Sequence, residues 1–120
     1  MNRIVLALLA ALTLLVATPT ASASAGATKL VGTVGPGFTI TLKDATGHKV
    51  KTLKPGKYAI TVSDKSPIHN YRLKGPGLNK EITSVGFTGK KTVTVTLKSG
   101  KYTYVCDPHK ALMHGSFTVS

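Results

Sequence analysis

Apolar and polar residues alternate in several short runs along the chain after residue 26. A period of two is typical of a β-strand with one buried face and one exposed face. The clearest runs lie at residues 38–42, 58–62, 68–73, 93–97 and 102–106, and shorter ones at 29–34 and 116–119. Turn-forming Gly, Pro, Asp and Ser residues separate these runs, and no amphipathic helix pattern occurs between them. The pattern therefore predicts about seven short strands.

Many short strands without helices favour an all-β fold, a two-sheet Greek-key β-sandwich. Residues 50–53 fit a weak edge segment, and residues 75–89 fit a loop-rich excursion with one short strand. Residues 26–120 provide about 95 residues, which is enough for one domain with one core. Because the loops at one end of a sandwich converge, a residue that enters one strand can meet residues that lie between the last two strands.

The first 25 residues have the pattern of an export signal. Arg3 supplies a positive charge, and an apolar run from Ile4 to Ala17 follows it. Small residues between Ala21 and Ala25 suit cleavage near residues 23–25. The apolar run is short for a membrane span, although an uncleaved anchor is the alternative. We therefore expect the domain at 26–120 to be exported, to a periplasm, a cell envelope or the medium.

The charge is strongly unbalanced, with 16 Lys and Arg residues against 4 Asp and Glu. Without Arg3 the mature chain carries 15 basic and 4 acidic residues, a formal charge of +11. Such a field attracts acidic surfaces, so we expect an acidic docking surface on a partner protein and a possible loose association with anionic membrane or cell-wall polymer. Nucleic acid is not expected, because the chain has only 2 Arg and no recognisable binding motif.

The chain has a single cysteine, Cys106, and so cannot form an internal disulfide bond. A free thiol in an exported protein needs an explanation, since it is exposed to oxidation unless it is occupied. A bound metal ion would occupy and protect it.

Residues 104–115 combine three types of soft or borderline metal ligand in one short segment. Cys106 offers a thiolate, His109 an imidazole and Met113 a thioether. A thiolate, two imidazoles and a weak thioether form the trigonal site that binds copper in both oxidation states. His69 is the candidate for the second imidazole, because the alternation of residues 68–73 points it inward. Taken alone, His69 could equally be an ordinary core residue.

Met113 and His114 compete for the fourth ligand position. Imidazole is the better ligand for Cu(II), but a weak thioether disturbs a trigonal site least. Adjacent residues that enter a strand face opposite ways, and extending the inward phase of Phe117 back through Gly115 puts Met113 inside. The pattern favours Met113.

The order His69-Asn70, then Cys106-Asp107-Pro108-His109, then Met113, resembles that of the cupredoxins, blue copper proteins related to plastocyanin, pseudoazurin and amicyanin. The resemblance implies His69, Cys106 and His109 as strong equatorial ligands of one copper ion and Met113 as the weak axial ligand. It also implies that Asn70 bonds across to the ligand loop and that electrons leave through His109.

Two departures from the cupredoxin pattern lie in the ligand loop. Three residues separate His109 from Met113, where plastocyanin-like loops have four and amicyanin-like loops two. Asp107 stands where many relatives carry Ser or Thr, which leaves open what Asn70 would bond to.

These observations favour a monomeric electron carrier that cycles between Cu(II) and Cu(I) and docks on a redox partner. An apolar patch of Pro108, Ala111 and Leu112 is a candidate docking surface, although Leu112 could equally pack beneath the loop. A copper carrier or buffer would use the same ligands. A metal-free adhesion domain would leave the motif unexplained. An enzyme is not expected, because His48 and His114 do not form the His-x-His pair of additional copper centres.

Overall fold

The computed structural model describes residues 13–17 and 26–120 of the chain. The predicted signal segment, apart from residues 13–17, and its cleavage region at 23–25 lie outside the described residues. Among the described residues, no helix is both long enough and apolar enough to cross a membrane.

Residues 26–120 form nine β-strands and one turn of 3-10 helix. The strands are β1 (Thr28–Val34), β2 (Ile40–Asp44), β3 (Thr52–Leu53), β4 (Gly56–Asp64), β5 (Tyr71–Gly75), β6 (Leu78–Thr83), β7 (Gly89–Leu97), β8 (Gly100–Val105) and β9 (His114–Val119). The 3-10 turn, Asp107–His109, lies between β8 and β9.

The strands build two sheets. The four-stranded sheet has the order β2-β1-β4-β7, and the five-stranded sheet has the order β3-β9-β8-β5-β6. Within them β1 pairs with β4, and β3 with β9, in parallel, whereas the other strand pairs are antiparallel. The predicted all-β, two-sheet sandwich is confirmed.

The core lies between the two sheets and is made by the alternating residues that the sequence pattern singles out. In β4, for example, Tyr58, Ile60 and Val62 are buried while the residues between them are partly exposed. Aromatic rings fill the layer beneath the ligand loop, where Tyr71 stacks on Tyr104 with 6.0 Å between ring centroids. This close packing supports the ligand loop and limits its movement.

Two details of the strand prediction are wrong. The second strand begins at Ile40 and not at Phe38, which is 54% exposed. The fifth begins at Tyr71, because the chain turns through residues 66–69, where the His69 amide donates to the Ser66 carbonyl. The one short strand expected within residues 75–89 is β6, whose alternation is weak because only its last two residues are buried.

Candidate metal centre

The pairing of β5 with β8 brings the two ligand-bearing segments together. Arg72 lies opposite Val105 in this antiparallel pair. The residues just before β5 and just after β8 therefore meet at the same end of the sandwich, and these include His69 and Cys106. The two residues are 37 positions apart in the sequence, and the pairing of β5 with β8 brings them close in space.

Three donor atoms converge at this end. His69 Nδ1 lies 3.1 Å from His109 Nδ1, and Cys106 Sγ lies 3.7 Å from His69 Nδ1 and 3.6 Å from His109 Nδ1. The three residues form a group that can hold a metal ion, with His69 and Cys106 buried and His109 partly exposed. The structure thus brings together three of the four ligands proposed from the sequence.

The His69 ring is fixed from the side opposite the cluster. Its Nε2 lies 3.0 Å from the carbonyl oxygen of Gly37, which can only accept a hydrogen bond, so Nε2 is the donor. A neutral ring that donates from Nε2 carries its lone pair on Nδ1, the atom that faces Cys106. This tautomer is the one that a metal ion on Nδ1 requires.

Phe38 covers both imidazoles. Its ring meets His69 edge-on at 5.5 Å and His109 at 5.0 Å between centroids. Because Phe38 is about half exposed, it forms part of the outer surface of the site. Phe38 lies between the Gly35-Pro36-Gly37 turn and the first residue of β2, so it stands outside the strand and over the cluster.

Backbone hydrogen bonds shape the ligand loop. The amide of Cys106 donates to the carbonyl of Met113 at 3.0 Å, and the amide of Met113 donates to the carbonyl of His109 at 2.8 Å. The amide of His109 donates in turn to the carbonyl of Cys106 at 3.1 Å. Three short bonds thus link the Cys, the second His and the Met of one loop.

A polar network joins the ligand loop to the segment that carries His69. The side chain of Asn70 accepts from the Asp107 amide at 2.7 Å and donates to Asp107 Oδ2 at 2.8 Å and to Glu81 Oε2 at 2.9 Å. Arg72 Nε also donates to Asp107 Oδ2, at 2.8 Å. Asp107 is therefore the partner of Asn70 across the loop, through both its backbone and its side chain.

The network also decides the ionisation of Asp107. Burial raises the pKa of this carboxyl, but the hydrogen bonds from Arg72 and Asn70 outweigh burial, so its pKa lies below the ordinary value. The hydrogen bond to Asp107 raises the pKa of Arg72. Both groups are charged at neutral pH.

Met113 and His114 have opposite environments. Met113 is fully buried within the core cluster, whereas His114 is exposed and its Nδ1 lies 2.8 Å from the Lys110 carbonyl oxygen. The remaining histidine, His48, has a side chain that is 82% exposed and contacts Thr46 and Asp44 in a surface turn.

The donor distances fit a single metal ion. Protein sites with imidazole nitrogens at about 2.0–2.1 Å and thiolate sulfur at about 2.3 Å from the ion, at angles near 110°, separate their donors by about 3.4–3.6 Å. The three distances in this cluster, 3.1, 3.6 and 3.7 Å, lie close to these values. The donor set, two imidazoles and one thiolate, is the one that copper takes in trigonal sites.

Sequence reasoning missed several residues around the cluster. Gly37 acts through its backbone carbonyl, which no side-chain pattern reveals. Phe38 was assigned to a strand by its alternation. Arg72 and Glu81 looked like ordinary surface charges, although one signal was available: Arg72 is the one arginine in residues 26–120.

Comparison with known proteins gives one family and one fold. A model of the family described as copper binding proteins, plastocyanin/azurin family, matches residues 27–120. None of the curated proteins compared with the chain matches it.

Solved structures with a similar fold include rusticyanin from Thiobacillus ferrooxidans, at 24% identity and a TM-score of 0.52 over 77% of this chain and 76% of that chain. Reduced rusticyanin is similar at 22% identity and a TM-score of 0.53 over 77% and 78%. A chain of a heme-copper terminal oxidase dimer is similar at 17% identity and a TM-score of 0.52 over 77% and 63%. At these identities the likeness concerns the fold alone.

Proposed function

Because the chain belongs to the plastocyanin/azurin family of copper-binding proteins, we propose that it is an exported one-electron carrier rather than an enzyme. The family and the cluster of two imidazoles and one thiolate indicate one type 1 copper site. When bound, the copper would supply a one-electron couple between Cu(II) and Cu(I). The observation that carries the proposal is the convergence of His69, Cys106 and His109 on a rigid β framework.

We assign His69 Nδ1, Cys106 Sγ and His109 Nδ1 as the donors that would hold the copper ion strongly and Met113 as the weak fourth donor. The 3.1–3.7 Å spacing of the first three donors supports their assignment. Full burial of Met113 and exposure of His114 support the fourth. A thioether in a dry core is a weak donor that leaves the trigonal set undisturbed.

Rigidity is what these residues contribute to electron transfer. A carrier works quickly when its site changes little between oxidation states, so the protein must hold the ligands in one arrangement. The Gly37 carbonyl fixes His69, and the three backbone bonds of the ligand loop fix Cys106 relative to His109 and Met113. Asn70 ties this loop to the segment before β5.

His109 is the proposed exit for the electron. Of the three clustered donors it is the one with partial exposure, and the half-exposed Phe38 packs against it. Leu112 is 71% exposed and Ile68 is 51% exposed. An apolar rim of Phe38, Ile68 and Leu112 suits brief docking of a redox partner, and exposure of Leu112 favours this role over packing beneath the loop.

The basic surface sets the kind of partner. With 15 basic residues against 4 acidic ones once Arg3 is removed with the signal segment, the mature chain would attract a partner with an acidic docking face and repel basic ones. Export, which the first 25 residues indicate, would place the encounter in the periplasm, the cell envelope or the medium.

The test is addition of Cu(II) to the purified metal-free protein. One equivalent should give an intense visible band from thiolate-to-Cu(II) charge transfer and a reversible one-electron wave in voltammetry. Cys106→Ser should abolish the band, whereas His48→Ala, a change at an exposed histidine, should leave it intact. A protein that binds only Cu(I) and gives no band would instead be a copper carrier or buffer.

A further inference from the structure

Arg72 stands out in the composition of the domain. Residues 26–120 contain 14 lysines but one arginine, so the chain meets nearly all of its need for positive charge with lysine. Arginine differs from lysine in its planar, forked set of donors, which can bond several acceptors in fixed directions. A single arginine therefore points to a position where geometry matters.

The guanidinium of Arg72 uses all three of its nitrogen atoms. Nε donates to Asp107 Oδ2 at 2.8 Å, Nη2 donates to Glu81 Oε2 at 3.2 Å, and Nη1 donates to Asn79 Oδ1 at 3.1 Å. The side chain is 24% exposed, so it lies largely within the network that it bonds. A lysine ammonium here could reach one or two of these acceptors but could not match three directions on one plane.

The same two carboxylates also share the amide nitrogen of Asn70. Asp107 Oδ2 and Glu81 Oε2 lie 2.8 Å and 2.9 Å from Asn70 Nδ2, so two negative charges are held side by side by one neutral donor. Like charges this close repel unless a cation lies between them. Arg72 supplies that cation and bonds the same two oxygens.

We propose that Arg72 is a positioning residue of the copper site, which holds Asp107 against Asn70 and thereby fixes Cys106 relative to His69. Asp107 directly follows Cys106, and Asn70 directly follows His69. The hydrogen bonds between Asp107 and Asn70, here called the clamp, therefore also restrain Cys106 relative to His69. The inference rests on the proposed copper ligands. It adds a residue two positions beyond Asn70 that no ligand pattern includes.

Arg72 acts through geometry more than through stability. The side chains of Glu81 and Asp107 are 38% and 28% exposed, and ion pairs with this degree of solvent contact add little to folding stability. A stability measurement alone would therefore miss the role. Readouts that follow the position of Asp107 and the electronic structure of the site would detect it.

The experiment compares Arg72→Lys, Arg72→Gln and the control Lys74→Gln. Lys74 lies two residues further along β5, is exposed and makes no hydrogen bond to the network, so Lys74→Gln removes the same charge without the clamp. In metal-free protein we follow hydrogen exchange of the Asp107 amide, which donates to Asn70. In copper-loaded protein we record the visible spectrum, the electron paramagnetic resonance spectrum and the reduction potential.

We expect Arg72→Lys and Arg72→Gln to speed exchange of the Asp107 amide by roughly five- to tenfold, the effect of weakening one hydrogen bond. Both should shift the visible band and the copper hyperfine splitting, and Lys74→Gln should shift neither. In the double variant Arg72→Gln/Glu81→Gln, loss of the second carboxylate removes the repulsion, and the exchange rate should return part of the way.

Equal spectra and exchange rates for Arg72→Lys and the unmodified protein would overturn the inference, as would equal shifts for Arg72→Gln and Lys74→Gln. If Arg72→Gln does not fold, Arg72→Lys tests the inference alone, because it keeps the positive charge and removes only the forked set of donors. Failure of the unmodified protein to bind copper would contradict the proposed function. The exchange rate of the Asp107 amide in metal-free protein would still show whether Arg72 holds Asp107 against Asn70.

Discussion

His69 donates from Nε2 to the Gly37 carbonyl at 3.0 Å, and this bond fixes the tautomer of a neutral His69 ring. In a neutral ring, Nδ1 of His69 is then an acceptor. If the 3.1 Å contact between the Nδ1 atoms of the two histidines is a hydrogen bond in the metal-free protein, His109 donates it from Nδ1. In that arrangement Nδ1 of His69 is free to bind a metal ion, whereas His109 would first have to lose its Nδ1 proton or move it to Nε2.

The first prediction is that the histidines of the metal-free protein have different tautomers at pH 8. We expect His69 to be protonated on Nε2 and His109 on Nδ1, with long-range nitrogen-proton correlation spectra as the measurement. His114 provides an internal reference for an Nδ1-protonated ring, because its Nδ1 faces the Lys110 carbonyl oxygen. An Nδ1-protonated His69 would contradict the hydrogen bond to Gly37.

The second prediction concerns the fourth ligand. Met113→Leu should keep the visible band and raise the reduction potential, because it removes the axial donor at nearly constant volume, at a cost in stability below about 1.5 kcal/mol. His114→Ala should leave the band and the potential nearly unchanged, since His114 is exposed. The opposite result, a silent Met113→Leu and a strong effect of His114→Ala, would identify a nitrogen ligand.

The third prediction concerns the salt dependence of electron transfer. Reaction with an acidic acceptor should slow steeply as ionic strength rises, because salt screens charges beyond about 10 Å at 0.1 M. A neutral acceptor of the same potential is the control and should react at a nearly constant rate. Equal rates at all salt concentrations with the acidic acceptor would show that the 14 lysines do not steer it.

The fourth prediction tests the packing of the Tyr104 ring beneath the ligand loop. Gly115 lies opposite Tyr104 in the β8–β9 pair, and a Cβ atom added there would overlap the Tyr104 ring. Gly115→Ala should lower the free energy of unfolding by about 1–3 kcal/mol, the usual cost of overpacking. Ser116→Ala, one residue further along and exposed, should change it little in the same denaturant titration. Equal losses would mean that the Tyr104 ring moves aside freely.

The fifth prediction tests the role of Phe38 as a cover. Phe38→Ala should speed removal of copper by a chelator by roughly two- to tenfold, which corresponds to the 0.5–1.5 kcal/mol of an aromatic contact. Val31→Ala is the control, because Val31 is 42% exposed and lies within β1, opposite Lys43 and Thr61. An unchanged rate for Phe38→Ala would show that the cluster is shielded by other residues.

Alternation and ligand spacing predicted the sandwich and the three clustered donors, because both depend on local patterns. The strand phase that points Phe117 inward also holds in the structure, where Phe117 is buried and His114 is exposed. The prediction failed at Phe38. Its side chain continues the alternation of β2, but the strand begins two residues later, at Ile40. Local pattern cannot tell where a turn ends when the next apolar residue covers a site instead of the core.

Contacts between distant segments could not be predicted in the same way. The bond from His69 to Gly37 uses a backbone carbonyl, which every residue carries. The partners of Asn70 depend on the register between β5, β6 and β8, which places Glu81 opposite Arg72 and Val105 opposite the same residue. Sequence reasoning pointed to Asn70 and left its partner open, and it identified neither Arg72 nor Glu81 as members of this network.

The long sequence separation between His69 and Cys106 has a consequence for the order of folding and metal capture. In an unfolded chain the proposed ligands of one loop, Cys106, His109 and Met113, lie close together in sequence, and His69 joins them when β5 has paired with β8. Pairings between segments this far apart form late, because the loop between them must first be closed. The complete site is therefore a product of the folded sheet, and copper can meet all three clustered donors only in the folded chain.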